Sequence, residues 1–402
     1  MPKLLQINAT LNLGSTGRIA EQIANAAKKK GWDCFLAHGG RYVGQSNYTS
    51  IQVSSKRDNY FHAFYGEFLG KHGLGSTRAT KHFVEQVKAL KPDIIHLHNI
   101  HGYYLNYRVL FEYLAYAKIP IVWTLHDCWA FTGHCTHFEM VSCEKWQTEC
   151  EQCPLKMAQY KTRLIDRSQK NYQLKKQLYK ELSNVTLVPV SNWLAGLVAK
   201  SILGNFPIHV INNGVDVNVF KPTNNTIRDR YGIPIDKKII LGVVGSGFGD
   251  EKGEREFIEL SKQNDLQIII VGLKGNESQG LPPNIIRSER TSSLKELAAF
   301  YSAADVFLNP TYNDTFPTTN LEALACGTPV ITYRTGGSPE ALDDSTGIVV
   351  DKGDLKGLNG AIYEVIHNGK EYYSAACVKR AIDHYNKDDR FDEYIKLYES
   401  LL

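Results

Sequence analysis

The sequence predicts an α/β protein that contains two doubly wound parallel sheets. Short apolar strands alternate with amphipathic helices from residue 1 to about residue 200, a pattern typical of parallel strands joined by helical crossovers. A second series of apolar strands begins at Lys238. A chain of 402 residues can bury two cores, which favours two domains.

Composition and charge argue against a membrane-spanning protein and against a nucleic-acid-binding protein. No apolar run approaches the ~18 residues of a membrane span, and the first seven residues resemble a strand rather than a signal peptide, so we expect a cytoplasmic protein. Residues 1–200 carry 25 Lys and Arg against 14 Asp and Glu, a net charge of +11, and the remainder carries 21 against 28, or −7. The basic half could contact anionic phospholipid at the inner face of the cell membrane or a pyrophosphate-linked acceptor, or it could be a solvated surface. Scattered lysines without a recognition motif argue against nucleic acid.

The first strand, Leu4 to Ile7, precedes a predicted loop that contains Gly14 and Gly17. A helical repeat follows the loop. Strand, glycine-bearing loop and helix in this order can hold a phosphate, although many tight turns share this composition.

Aromatic residues cluster between residues 60 and 68. The spacing of Phe61, Phe64, Tyr65 and Phe68 places them on one face of a predicted helix. We interpret this face as part of the core, with a membrane-surface or acceptor-binding face as the alternative.

Two histidines follow predicted strands of the first half. His98 ends the strand that starts at Asp93, and His126 ends the strand that starts at Ile121. The carboxyl ends of parallel strands face the ligand crevice, so both are candidate site residues, and each could also be a structural histidine.

Five of the eight cysteines lie between residues 128 and 153. In a cytosolic chain such clustering favours metal over disulfides. Cys135, Cys143, Cys150 and Cys153 could form a tetrahedral structural zinc site that holds an insertion. Disulfides and free thiols are the alternatives.

A second glycine-rich loop spans residues 246–253 in the second half. Lys252 in this loop could serve as a point charge for a phosphate, or it could be a solvated surface lysine. The polar segment near residues 205–225 indicates a domain boundary, so we place the domains at residues 1–205 and 206–384.

The stretch from residue 306 to residue 332 predicts a strand, a tight loop, a helix and another strand. Pro317 suits the first position of a helix, where its missing N–H costs nothing, and Gly327 ends that helix. The helix N-terminus therefore follows the carboxyl end of a strand, where anions bind in open α/β sheets.

The amides of Thr318, Thr319 and Asn320 are expected to face this ligand side. Two carboxylates bracket them, Asp314 in the loop and Glu322 in the helix. Alternatively, Asp314 caps the loop and Glu322 is a solvated helix residue.

This stretch resembles the signature of the retaining family 4 glycosyltransferases (glycosyl transferases group 1), whose GT-B fold has two Rossmann-like domains facing across a cleft. Their pattern of an acidic residue, seven residues and Glu is matched by Asp314 and Glu322, with Asp in place of the usual Glu. The resemblance implies that Asp314 faces the hydroxyls of the donor sugar and that Glu322 faces the nucleotide ribose.

Five other stretches match the family in the expected order. In the family they contact the donor phosphates, the acceptor or the transferred sugar, or they join the domains. One departure is Ser246, which stands where an Arg that grips the diphosphate is usual. The matching positions are Gly14, Gly17 and Arg18; His126; residues 212–222 at the hinge; Lys252; and Gly337 with Glu340 beside the donor.

The resemblance implies a retaining glycosyltransferase that takes a nucleotide-diphosphate sugar as donor and a glycan or lipid-linked saccharide as acceptor, in bacterial surface or capsular polysaccharide synthesis. The donor would lie mainly on residues 206–384 and the acceptor mainly on residues 1–205, near His98 and Arg18, with a last helix at about 385–402 packing on the first domain. No catalytic cofactor is expected, since no Asp-x-Asp motif is placed for a divalent metal. The rival interpretations are a GT-B nucleotide-sugar epimerase and a non-catalytic nucleotide-sugar binding protein.

Overall fold

The structure, a computed structural model, describes residues 1–245, 247–273, 275 and 280–402. The chain forms two compact units: Met1–Asn212 together with Arg390–Leu402, and Asn213–Asp389. Among the described residues, no helix combines the length and the apolar character that crossing a membrane requires.

The first unit contains a six-stranded sheet in which every neighbouring pair is parallel, in the order β3-β2-β1-β4-β5-β6. Its strands are β1 (Lys3–Leu11), β2 (Asp33–Val43), β3 (Thr49–Gln52), β4 (Ile94–Leu97), β5 (Ile121–Leu125) and β6 (Val185–Pro189). Its helices are α1 (Gly14–Lys29), α2 (Lys56–Leu69), α3 (Thr77–Leu90), α4 (Tyr107–Ala117), α5 (Ser168–Lys180) and α6 (Asn192–Ala199).

The second unit repeats this plan with a parallel sheet in the order β12-β11-β10-β7-β8-β9. Its strands are β7 (Lys238–Val243), β8 (Leu266–Val271), β9 (Ile286–Ser288), β10 (Val306–Asn309), β11 (Val330–Tyr333) and β12 (Gly347–Val350). Its helices are α7 (Ile227–Tyr231), α8 (Glu254–Leu260), α9 (Leu294–Ala303), α10 (Thr318–Ala325), α11 (Leu355–Asn368) and α12 (Lys370–Tyr385). The last helix, α13 (Lys387–Leu401), begins in the second unit, and from Arg390 onward it belongs to the first.

Strand order reverses at one point in each sheet, between β1 and β4 in the first and between β7 and β10 in the second. Ligands of open α/β sheets bind beyond the carboxyl ends of the strands at such a point. The segments that follow β1 and β4, and those that follow β7 and β10, are therefore the parts of each unit to inspect for a site.

One apolar cluster in the core of the first unit joins side chains of the central strands to those of two helices that cover them. Helix α13 contributes to this core near the chain end, with Phe391, Tyr394 and Tyr398 packed among residues such as Ile23 and Val122. These residues of α13 therefore belong to the first unit.

The predicted glycine-bearing loop before α1 is wrong in its extent. Strand β1 continues to Leu11, and Gly14 to Gly17 form the first turn of α1. Amides in the first turn of a helix have no partner within the helix, so glycine is tolerated there; Gly14, with φ +71°, adopts a backbone conformation that favours glycine.

The predicted burial of the aromatic residues of α2 is also wrong. Phe68 is half-buried, but the other rings are exposed by 44 to 71%. The exposed rings are Tyr60, Phe61, Phe64 and Tyr65. The buried face of α2 carries Asn59, His62 and Gly66, so the helix turns its polar face inward.

Candidate functional site

The two predicted histidines of the first unit meet beyond β4 and β5. His98 Nδ1 lies 3.0 Å from His126 Nε2, and His98 Nε2 lies 2.9 Å from Gln6 Oε1. His98 is 1% exposed and both of its ring nitrogens are engaged. These contacts make His98 a residue that positions His126, and the predicted contact of His98 with an acceptor stays a prediction.

The hydrogen bonds assign the tautomers of this pair. Gln6 donates its amide nitrogen to the carbonyl of Ala20 at 2.9 Å, which turns its oxygen toward His98, so His98 carries its proton on Nε2. His98 Nδ1 then accepts from His126 Nε2, which makes Nδ1 of His126 a hydrogen-bond acceptor. Burial lowers the pKa of His126 to about 4 and that of His98 well below its usual value, so both rings are neutral at pH 7.

A second set of hydrogen-bonded polar side chains lies beside this pair and was not predicted. His101 Nε2 is 2.8 Å from Asp127 Oδ2, and His101 Nδ1 is 2.6 Å from the hydroxyl of Tyr160. Burial acts to raise the pKa of Asp127, but His101 and the amide of Trp129 outweigh burial and lower that pKa to about 2. His98, His101, His126 and Asp127 line one pocket. The motif His98-Asn99-Ile100-His101 in the sequence could have indicated that His101 lies beside His98.

The start of α1 is arranged to receive an anion. Its cap residue Leu13 makes no side-chain hydrogen bond, and the first turn has no acidic residue. A Cβ on Gly17 would lie 2.6 Å from Thr10 Oγ1, so the helix approaches β1 closely there. Arg18 is half-buried and forms no ion pair with any described residue, which leaves its charge available to an anionic ligand.

In the second unit, Lys252 reaches the loop that follows β10. Its Nζ lies 3.2 Å from Thr311 Oγ1 and 3.4 Å from the carbonyl of Asn313. Both partners are neutral, and Lys252 has no carboxylate partner within the described parts of the chain. The Oδ1 atom of Asn313 is buried and has no hydrogen-bond partner. The prediction for Ser246 lies outside the described residues.

The N-terminus of α10 lies four residues beyond Asp314 in the same loop. The amides of Thr318 and Thr319 make no hydrogen bond with a described residue, as predicted. The amide of Asn320 instead donates to the carbonyl of Pro317 at 3.2 Å. The predicted free amide at Asn320 is therefore wrong, because the first turn tightens onto Pro317.

Asn320 is fully buried and ties three segments together. Its Nδ2 is 2.9 Å from Ser338 Oγ, and its Oδ1 accepts from Asn309 Nδ2 at 2.8 Å. Ser338 Oγ in turn lies 2.7 Å from Thr332 Oγ1. A direct donor contact through this side chain is therefore excluded, and Asn320 holds α10 against the ends of β10 and β11.

The two carboxylates differ in their surroundings. Asp314 Oδ1 accepts from the amide of Phe316 at 3.1 Å, which is the loop cap considered above, while Oδ2 has no partner among the described residues. Glu322 is only 7% exposed and its Oε2 accepts from the hydroxyl of Tyr301 at 3.0 Å. The alternative of a solvated Glu322 is therefore wrong.

The predicted Gly337 and Glu340 lie at the turn after β11, which Ser338 joins to α10. Gly337 is buried and Glu340 is half-buried. The carbonyl of Glu340 accepts from the hydroxyl of Tyr385 at 2.8 Å. The structure thus brings this turn to the same region as Asn320.

The cysteine segment does not assemble the predicted zinc site. All eight cysteines are free thiols, and no three His, Cys, Asp or Glu side chains within the described residues are placed to hold a metal ion. The four predicted ligands do line one pocket. The thiols of Cys135 and Cys153 are hydrogen-bonded, which raises the pKa of Cys135 and lowers that of Cys153.

Two Rossmann-like units, each with polar groups at its switch point, fit the two-domain α/β arrangement of the GT-B fold. Solved structures agree in fold. Sucrose-phosphate synthase from Thermosynechococcus elongatus aligns over 100% of this chain and 99% of its own with a TM-score of 0.72 and 18% identity. The Anabaena protein HepE in complex with UDP aligns over 100% of both chains with a TM-score of 0.67 and 15% identity.

The family follows from the sequence profiles. Residues 16–219 match the profile of Glycosyltransferase Family 4, and residues 223–383 match that of Glycosyl transferases group 1. The chain belongs to the family 4 glycosyltransferases, and it is a transferase enzyme.

Curated relatives agree with this family assignment. The Escherichia coli K12 colanic acid biosynthesis glycosyl transferase WcaC is 23% identical over 99% of this chain and 100% of its own length. The Staphylococcus aureus capsular polysaccharide biosynthesis glycosyltransferase CapM is 25% identical over 47% of this chain and 53% of its own.

Proposed function

We propose that this enzyme transfers a sugar from a nucleotide-diphosphate donor to a glycan or lipid-linked saccharide, with retention of anomeric configuration, in the synthesis of a bacterial surface or capsular polysaccharide. The second unit binds the donor and the first unit binds the acceptor. The protein acts in the cytoplasm, where it contacts the anionic inner face of the membrane.

The observation that carries this proposal is the ammonium of Lys252. Among the described residues it is bonded to neutral oxygens only. The loop that it reaches leads into the amides of Thr318 and Thr319, which have no partner in the same part of the chain. A positive charge and a helix N-terminus in one region, with no counter-ion among the residues that the structure describes, favour a diphosphate. They also stabilise the negative charge that develops as nucleoside diphosphate departs.

Three groups nearby can recognise the rest of the donor. Asp314 Oδ2 and the buried, unpartnered Asn313 Oδ1 are acceptors for sugar hydroxyls. Glu322, held by Tyr301, is the candidate for the ribose hydroxyls. The turn at Gly337 and Glu340 completes the donor contacts in this proposal.

The first unit supplies His126 and the start of α1. We assign His126, which is neutral and positioned by His98, to the transferred sugar, and α1 with Arg18 offers positive charge. In the reaction, the bond from the anomeric carbon to the phosphate oxygen breaks and a bond to the acceptor oxygen forms. The acceptor proton passes to a phosphate oxygen of the departing diphosphate, so no protein nucleophile is needed.

Relatives and neighbours support the class of substrate. Two curated relatives carry names of colanic acid and capsular polysaccharide biosynthesis. One structural neighbour, HepE, has been solved with UDP and with UDP-glucose. A panel of nucleotide sugars tested as donors would identify the nucleotide and the sugar that this enzyme uses.

The test compares Glu322→Ala with Tyr301→Phe. If Glu322 binds the ribose, Glu322→Ala loses the thermal stabilisation by a nucleotide sugar while Tyr301→Phe, which keeps the carboxylate, retains most of it. Equal donor stabilisation in wild type and Glu322→Ala, with both folded, would refute the donor assignment.

The same purified protein distinguishes a glycosyltransferase from a nucleotide-sugar epimerase. Incubation of enzyme with donor alone should give no epimerised sugar, whereas addition of acceptor should release nucleoside diphosphate. NMR of the product linkage then reads the anomeric configuration, and inversion would contradict the retaining proposal.

A further inference from the structure

Helix α2 is inverted relative to an ordinary surface helix. Its buried side is held by polar contacts: Asn59 Nδ2 donates to the carbonyl of Gly39 at 2.6 Å, and the amide of Gly75 donates to His62 Nε2 at 3.0 Å. Its outer side carries the exposed rings of Tyr60, Phe61, Phe64 and Tyr65, here called the aromatic face. These rings therefore contribute little to attaching the helix to its unit.

The aromatic face is continuous rather than scattered. The rings of Phe64 and Phe68 have centroids 4.7 Å apart, and those of Tyr60 and Phe61 are 6.0 Å apart. A neighbouring segment extends it, because Arg163 donates its amide to the carbonyl of Glu67 at 2.7 Å. The next two residues, Leu164 and Ile165, are exposed by 69% and 49%. A contiguous apolar surface of this kind marks an interaction site.

The charged side chains around the aromatic face that form no hydrogen bond or ion pair with a described residue are basic. Both carboxylates of α2 are already engaged: Asp58 closes the capping box with Ser55, and Glu67 pairs with Arg163 at 2.6 Å. The exposed Lys56 and Arg57 precede the rings, and exposed Lys71 follows them. None of these three cations forms an ion pair with a described residue. The face therefore presents apolar rings flanked by free positive charge.

We propose that the aromatic face of α2 is the surface by which this enzyme docks on an anionic phospholipid bilayer. Aromatic rings with basic residues beside them are the composition of helices that lie in the plane of a membrane interface, and free Lys and Arg are attracted to anionic headgroups. This inference deepens the proposed function, since a lipid-linked acceptor lies in such a bilayer. It names the part of the chain that meets the membrane.

The experiment measures co-sedimentation with vesicles of phosphatidylcholine alone and of phosphatidylcholine with phosphatidylglycerol. Wild type should bind the mixed vesicles, bind pure phosphatidylcholine weakly and release in high salt. Phe61→Ser/Phe64→Ser and Lys56→Ser/Arg57→Ser should each reduce partitioning to mixed vesicles by about tenfold or more.

A matched control removes exposed aromatics elsewhere. Tyr116 and Tyr372 are exposed by 84% and 70%, and Tyr116→Ser/Tyr372→Ser should bind mixed vesicles as wild type does. Donor stabilisation without vesicles should be unchanged in all these variants, so a failure of docking is distinguishable from a failure of the proposed function.

Three results would overturn the docking proposal. The first is absence of wild-type binding to mixed vesicles, and the second is equal binding by the Phe61→Ser/Phe64→Ser variant. The third is a dimer in size-exclusion chromatography with light scattering that this variant abolishes while vesicle binding is absent. That result would assign the face to a second copy of the chain.

Discussion

Replacement of Lys252 by alanine tests the part of the site on which the proposed chemistry depends. The ammonium donates to Thr311 Oγ1 and to the carbonyl of Asn313, and no described carboxylate neutralises it. Its whole charge is therefore available to the donor. Removal costs the folded protein only two hydrogen bonds to neutral oxygens, one of them long, so we expect a small loss of thermal stability.

The expected loss of rate follows from the charge that the donor gains. A unit charge about 4 Å from the ammonium, at an effective dielectric constant of about 20, interacts by about 4 kcal/mol. The departing diphosphate gains about one negative charge, and between half and all of it is present in the transition state. The differential stabilisation is then about 2 to 4 kcal/mol, which corresponds to a fall in kcat of about 30-fold to 1,000-fold.

The assay follows release of nucleoside diphosphate under saturating donor, with donor affinity measured separately by calorimetry. Lys352→Ala is the matched control, since Lys352 Nζ also donates to this loop, at 3.2 Å from the carbonyl of Tyr312. We expect Lys352→Ala to keep kcat within about threefold. A Lys252→Ala protein that is folded and turns over within threefold of wild type would refute the reasoning.

Three further predictions concern the first unit. His98→Ala leaves Gln6 and His126 without their buried partner, so the free energy of unfolding should fall by about 2 to 5 kcal/mol; an unchanged urea midpoint would contradict this. The unit should lose stability as pH falls from about 6.5 toward 4, because buried histidines with lowered pKa values stay neutral when folded but take up protons when unfolded. The relevant groups are His62, His126 and His134, each with a pKa lowered to about 4, and His72, with a pKa lowered to about 3. Urea titrations at pH 7.5 and 5.0 test this prediction, and equal free energies of unfolding at the two pH values would refute it. Under reducing conditions we expect eight reactive thiols per unfolded chain and zinc near zero, whereas about one zinc per chain by metal analysis would restore the site predicted from the cysteine spacing.

The parallel two-sheet fold could be predicted from the sequence because apolar strands and amphipathic helices are local patterns. The strand, loop and helix around Pro317 are an example, although α10 begins at Thr318 and Pro317 is its cap residue rather than its first helical residue. Strands β3 and β12 were not predicted: Thr49–Gln52 is mostly exposed, so its pattern is not that of a buried strand.

The candidate site was predicted in part. Lys252, Asp314 and Glu322 could be found because a glycine-rich loop and spaced carboxylates are visible in the sequence. The partners that orient them could not, since Thr311 lies 59 residues from Lys252 and Tyr301 lies 21 residues from Glu322. Hydrogen bonds between distant segments depend on how the strands are ordered, and periodicity carries no information about that order.

What the sequence alone determined about this protein is which residues share an element, a loop or a helical face. The tertiary structure decided which face is turned inward. In α2, spacing placed the rings together, yet the polar side is buried because Asn59 and His62 find hydrogen-bond partners there. For His98 and Asn320, position at a strand end or helix start was readable, but burial and complete hydrogen bonding make them supports of the site. Burial is a property of the surrounding segments, which is the physical reason that only the folded chain assigns it.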